Sequence, residues 1–189
     1  MEGAATKPCP SDAPVADCGF FAQPIEDINY GRTISESEAI MFHRIINTRN
    51  DFVIAILRLT LGLIFAAHGA QKMLGWFGGY GFSGTMGFFT HEMGIPVPFA
   101  FLAICAEFFG GLGLIVGFLG RIAAFGIICN MLVAVVMVHA QNGFFMNWFG
   151  NQKGEGYEYH LLAIAIGLLI VVKGSGAVSV DRLLTEDRP

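Results

Sequence analysis

Apolar and polar positions divide the chain near residue 50. Beyond it lie four apolar stretches, 52–74, 99–119, 122–140 and 157–173. A membrane-crossing helix needs about 20 residues. The first three reach that length. The fourth spans only if Lys173 snorkels and Tyr157 and Tyr159 sit at the interface. Small residues recur at four-residue spacing, at Gly62 and Ala66, at Gly113 and Gly117 (with Gly110 one turn earlier), and at Ala163 and Gly167. Such pairs let helix backbones approach closely in lipid. The expected fold is therefore all-α, an antiparallel four-helix membrane bundle over residues 51–183. Residues 184–189 form a short tail.

The first fifty residues read differently. Pro8, Pro10, Pro14 and Pro24, with scattered acids, predict an extended tail over 1–34. No basic start leads into an apolar run, so a secretory signal peptide is not expected. Ser35 and Glu38 have capping-box spacing. Ile34, Met41, Phe42, Ile45 and Ile46 then share a face, which predicts an amphipathic interfacial helix over 35–50.

Composition agrees with a membrane protein. Hydrophobic residues make up 54% and charged ones 14%, against about 25% charged in soluble domains. The net charge of −4 excludes nucleic-acid binding through a basic patch. Four cysteines are too few for a disulfide scaffold. Arg44, Arg49, Arg121, Lys173 and Arg182 fall on one side of the expected membrane, whereas loop 75–98 has no Lys or Arg and loop 141–156 only Lys153. The positive-inside rule then puts both termini in the cytoplasm. There Cys9 and Cys18 stay reduced.

Charges inside the spans carry the functional information. An Arg, Lys or Asp at a helix centre costs roughly 2.5–3.5 kcal/mol on insertion scales, so such groups face the bundle interior or reach an interface. Counting along the helices puts His68, Lys72, Glu107, His139 and Glu158 in the outer leaflet, where they should converge. Arg58 and Arg121 lie toward the inner side as structural charges. The outer loops bring Trp76, Phe77, Tyr80, Phe82, Phe88 and Phe89, then Phe144, Phe145, Trp148 and Phe149. These aromatics fit either a lid over a small-molecule pocket or an interfacial belt. Arg58…His68…Gln71…Glu107 is also echoed by Arg121…His139…Gln141…Glu158.

Several strings resemble the DoxX family. They are Arg58 to His68-Gly69-x-Gln71-Lys72 with Gly75 and Trp76, and Glu107-x-x-Gly110-Gly111 with Gly117 and Arg121. His139, Gly143-Phe144-Phe145, Glu158-Tyr159 and Gly174-x-Gly176-x-x-Ser179-x-Asp181 follow. The resemblance covers roughly residues 53–183. Ser175 stands where the family pattern has proline. The resemblance implies a four-helix protein of the bacterial inner membrane, linked to respiratory or sulfur redox chemistry and to relatives of quinone-reducing thiosulfate oxidoreductase subunits.

Three functions remain open at this point. The first is an accessory subunit of a respiratory, photosynthetic or other quinone-linked complex, docked on other membrane subunits partly through residues 1–50. The second is a quinone-binding redox subunit in which His68, Glu107 and His139 hold or protonate the head group, tuned by Lys72 and Glu158 and covered by the loop aromatics, including Trp76 and Trp148. The third is a small-solute or proton carrier. Quinone is the cofactor these residues suggest; His68 and His139 could also be axial haem ligands, or join Glu107 at a metal, but without local ligand spacing to support either. No metal is expected, because no ligands have local metal spacing. No CxxC or CxxCH string is present to carry electrons.

Overall fold

The computed structural model describes residue 38 and residues 40–186. Residues 1–34 with Cys9 and Cys18, Ser35 of the capping box, and 187–189 lie outside the described residues. Among the described residues the chain is all-helical, with no strand. The first helical stretch, α1, runs over 40–46 and stops there rather than at 50. Ile46 is buried, while Ile40, Met41 and Phe42 are exposed.

The expected first span is α2, Phe52–Leu74. Its limits are set by local chemistry. The Asp51 carboxylate accepts from the N–H groups of Val53 and Ile54 at 2.9 and 3.3 Å. Gly75, in left-handed conformation (φ 74°), ends the helix. The following loop is more ordered than expected. It contains a 3₁₀ turn at Trp76–Gly78, a short α3 at Gly81–Gly87 and a π turn at Phe88–Glu92.

Helix α4, Val97–Val116, ends where Gly117 takes φ 70°. Helix α5, Gly120–Ala134, continues through a π turn at Val135–His139 and a 3₁₀ turn to Asn142. Helix α6 is Glu158–Lys173, and a seven-residue α7, Val180–Glu186, follows. Three of these helices are long and apolar enough to cross a membrane: Phe52–Leu74, Val97–Val116 and Gly120–Asn142.

Consecutive long helices run antiparallel. Helix α4 packs on α2 and α5, and α6 packs on α5 and α2. Leu61, Phe65, Leu114, Ala124, Ile127, Met131, Ala163 and Ile170 form the core between them. Helices α2 and α4 come close through glycine. A Cβ on Gly69 would strike the backbone of Glu107 and Phe108, and one on Gly111 the backbone of Phe65 and Ala66. Outside the core, large apolar side chains such as Phe52, Ile56, Leu63, Phe109 and Leu162 remain exposed, as lipid-facing residues do.

One end of the helices, with the short connections, is closed by arginine and by the segment 174–181. Arg58 is 1% exposed. It donates to the carbonyls of Leu114 (2.5 Å), Ile115 (3.1 Å) and Val178 (2.9 Å). The first two belong to the last turn of α4, where carbonyls lack intrahelical partners. Arg121 does the same for α6, donating to Val171 O at 2.6 Å and to Asn47 O at 3.0 Å. Each hairpin, α2 with α4 and α5 with α6, thus has its returning helix capped by an arginine from the outgoing one.

The buried Asp181 carboxylate accepts from the N–H groups of Leu119 (2.8 Å) and Gly120 (3.0 Å), capping the start of α5. The Ser175 hydroxyl donates to the same carboxylate at 2.5 Å. Proline at position 175 could not make that bond.

Candidate functional site

The opposite end carries the long loops and the polar side chains. Between α4 and α5 lies a cavity of about 760 Å³. Its mouth is apolar. Phe99 (64% exposed), Leu102 (58%) and Phe125 (61%) stand at it, beside Phe88 of the π turn that follows α3. Its floor is polar and contains Lys72, Glu107, Asn130, Tyr159 and His160, with His68 and His139 in the walls.

The Glu107 carboxylate organises this floor. It is 4% exposed, about one helical turn before Gly111. One oxygen pairs with the Lys72 ammonium and the other accepts from the Asn130 amide at 2.7 Å. A buried carboxylate needs such neutralising partners, since unpaired charge is strongly disfavoured away from water. The three residues come from α2, α4 and α5, so the network forms only when the helices pack.

Two polar atoms at the floor are left over. The Tyr159 hydroxyl and the His160 Nδ1 are buried without a hydrogen-bond partner. Most buried polar groups in proteins are satisfied, so an orphan atom beside a cavity marks a place for a ligand group or water. His160 stacks on His139 with ring centroids 4.1 Å apart and planes at 41°. The His139 Nδ1 donates to Glu155 O at 2.8 Å. His139 closes the Val135–His139 π turn, a helix distortion frequent at functional sites.

The expected cluster is thus placed in part. His68, Lys72, Glu107 and His139 share the cavity, together with Asn130, Tyr159 and His160, which were not among the expected site residues. Glu158 turns away from it. Its carboxylate accepts from Met146 N (3.0 Å) and Trp148 Nε1 (3.4 Å), pinning loop 141–156. Trp76 and Trp148 are 59% and 80% exposed and do not line the cavity. The covering aromatics are instead Phe88, Phe89 and Phe99. Arg58 does not reach Glu107, because all its named partners are carbonyls at the other end. The glycine spacing of residues 79–84 formally fits a dinucleotide-binding loop, but no strand precedes it among the described residues.

The DoxX family model matches residues 53–140. The chain carries a DoxX domain. The match covers α2 from its second residue, α3, α4, all of α5 and the π turn after it, and hence Lys72, Glu107, Asn130 and His139. Tyr159 and His160 lie beyond it. The chain is also similar to Inner membrane protein YqjF of Escherichia coli (strain K12), at 29% identity over 137 residues, covering 72% of this chain and 95% of the relative. No solved structure matches the chain. With its three long apolar helices, the chain is a membrane protein that is similar to the DoxX family over residues 53–140.

Proposed function

We propose that this DoxX protein holds the head group of a membrane-soluble quinone in the α4–α5 cleft, as one subunit of a larger redox assembly. The observation that carries the reading is the cleft itself. It has an apolar mouth among lipid-facing side chains and a floor bearing an ammonium, a carboxylate, an amide and an unpartnered phenol. Its volume is in the range of small-molecule sites, roughly 300–1,000 Å³. A flat ring with an apolar tail enters such a cleft sideways from the bilayer. Its two oxygens are acceptors, and Tyr159 O–H and Lys72 are donors beside them. A bound quinone supplies two-electron, two-proton chemistry. The chain itself binds, orients and shields the ring. Electrons come from a partner, since the sequence has no CxxC or CxxCH string. The accessory role expected first from the sequence, a subunit with no chemistry of its own, is the competing reading, in which the Lys72–Glu107–Asn130 network only fixes the bundle.

The same proposal extends to the topology. Helix α6 has 16 residues, or about 24 Å at the helical rise, and completes a four-span bundle with its aromatic flank at the interface. The exposed face of α1 then lies among head groups. Arg44, Arg49, Arg121 and Lys173 lie at or beside the short-connection end, which supports both termini in the cytoplasm. A green fluorescent protein fused after Pro189 is expected to fluoresce, and alkaline phosphatase at the same site to stay inactive. The reverse pattern would refute this orientation.

The quinone reading is tested with the full chain in lipid nanodiscs and decylubiquinone as probe. Binding above partition into empty nanodiscs is expected. Tyr159→Phe should weaken it by up to about tenfold, the equivalent of one hydrogen bond. Glu107→Gln should weaken it further by releasing Lys72 and Asn130 together. No binding to the wild-type protein beyond partition would end the proposal.

A further inference from the structure

A second hollow, of about 510 Å³, lies behind His139. It is lined by Gln141, Asn142, Lys153, Gly154 and Glu155 as well as Val138 and His139. Gln141, Lys153 and Glu155 are exposed, so this hollow faces water at the long-loop end. Val138, His139 and Glu155 belong to the walls of both cavities. Val138, His139 and Glu155 therefore stand between a water-facing space and the lipid-facing cleft, and His139 carries the only imidazole among them.

The chemistry on the two sides of that imidazole is complementary. A carbonyl oxygen only accepts, so the bond to Glu155 O assigns the proton to His139 Nδ1 and leaves Nε2 as the acceptor in the neutral ring. His160 stacks on it from the interior and is 6% exposed, with its Nδ1 unpartnered. Tyr159 meets His160 edge-on at 5.6 Å, and its hydroxyl is equally unpartnered. Glu107, Lys72, His68 and Cys129 are the other titratable groups of the cleft, Lys153 is that of the hollow, and Glu155 lines both.

We propose that His139 and His160 form a proton passage between the water-facing hollow and the floor of the cleft. The purpose of the passage rests on the quinone reading, because a quinone oxygen that gains or loses a proton needs an exchange route through otherwise apolar walls. His139 takes up or releases the proton at Nε2, while the Glu155 carbonyl holds its Nδ1–H. His160 hands it on through its free Nδ1. At each ring one N–H bond forms as the proton arrives and the same bond breaks as it leaves, so both imidazoles return to their starting tautomers.

The test needs no quinone turnover. Hydrogen–deuterium exchange at the histidine C2 position is followed by mass spectrometry in the full chain in nanodiscs. Although buried, wild-type His160 is expected to exchange at a measurable rate, because the passage gives it access to water, and each variant is compared with this wild-type rate. His139→Phe blocks the shared wall. Gly154→Val narrows the hollow, because a side chain there meets the Asn142 amide. Each should slow His160 exchange by about tenfold or more. An unchanged His160 rate in Gly154→Val overturns the passage, and that variant decides the matter if His139→Phe does not accumulate. Gly154 lines only the hollow, so decylubiquinone should bind Gly154→Val as it binds wild type. If His160 responds as expected but decylubiquinone fails to bind the wild-type protein, the passage stands and the quinone reading falls.

Discussion

Replacing Arg58 with leucine is expected to destabilise the protein by at least about 3 kcal/mol, since hydrogen bonds to charged groups contribute about 1.5–3 kcal/mol each. Three such bonds are lost. The carbonyls of Leu114, Ile115 and Val178 are left facing an apolar side chain. The loss also removes a cation from the negative end of α4. Thermal unfolding followed by fluorescence-detected size exclusion should show a markedly lower midpoint and reduced accumulation. Arg58→Lys should fall between the two, because an ammonium keeps the charge but not the fork that reaches both α4 and the 174–181 segment. Arg121→Leu should be milder, since Arg121 is only half-buried and has two carbonyl partners. An Arg58→Leu protein melting like wild type would show that water or Lys side chains can satisfy the end of α4, and the buried guanidinium would lose its structural role.

Position along each helix was legible in the sequence, and rotation about it was not. The limits of α2 were readable because Asp51 and Gly75 write both caps into the chain. Lys72, Glu107 and His139 could be placed near one end by counting residues. Which of Glu158, Tyr159 and His160 faces the cleft could not be read. Adjacent residues on a helix point about 100° apart. In a membrane helix the lipid face and the packed face are both apolar, so no hydrophobic stripe marks the interior. Glu158 drew attention as a charge, but it serves the loop, while its neighbours Tyr159 and His160 line the cavity. Asn130 was visible as the lone amide in its span and could have been paired with Glu107 on depth alone.

The other misses have local causes. The π turn at Val135–His139 leaves no trace in a uniformly apolar run. The helical pieces between residues 76 and 92 sit in a glycine-rich stretch whose propensity argues against helix. Tertiary packing on α2 and α4 overrides that preference. The earlier end of α4 follows from Gly117, which takes the left-handed conformation two residues before the apolar run ends.

A single methyl group separates two further outcomes. Gly69→Ala should cost about 3 kcal/mol, the upper part of the usual overpacking range. The added carbon falls on the backbone of Glu107 and Phe108, and no side chain can swing aside to admit it. Helix α4 must move away from α2, one turn from the Lys72–Glu107 pair. Decylubiquinone binding should therefore fall together with the melting temperature. Gly110→Ala adds the same methyl on the other face of α4. There it meets Ala123 O at 3.5 Å and the Ile127 side chain at 3.6 Å, both ordinary contacts. With no clash to offset, removing a helical glycine should leave stability unchanged or raise it by up to about 1 kcal/mol. The two substitutions match in chemistry and in change of helix propensity, so their difference isolates the approach of α2 to α4. Equal losses would mean that small residues here merely fill space. A large loss at Gly69 alone would show that the helix contact sets where the Glu107 carboxylate stands, and with it the floor of the cleft.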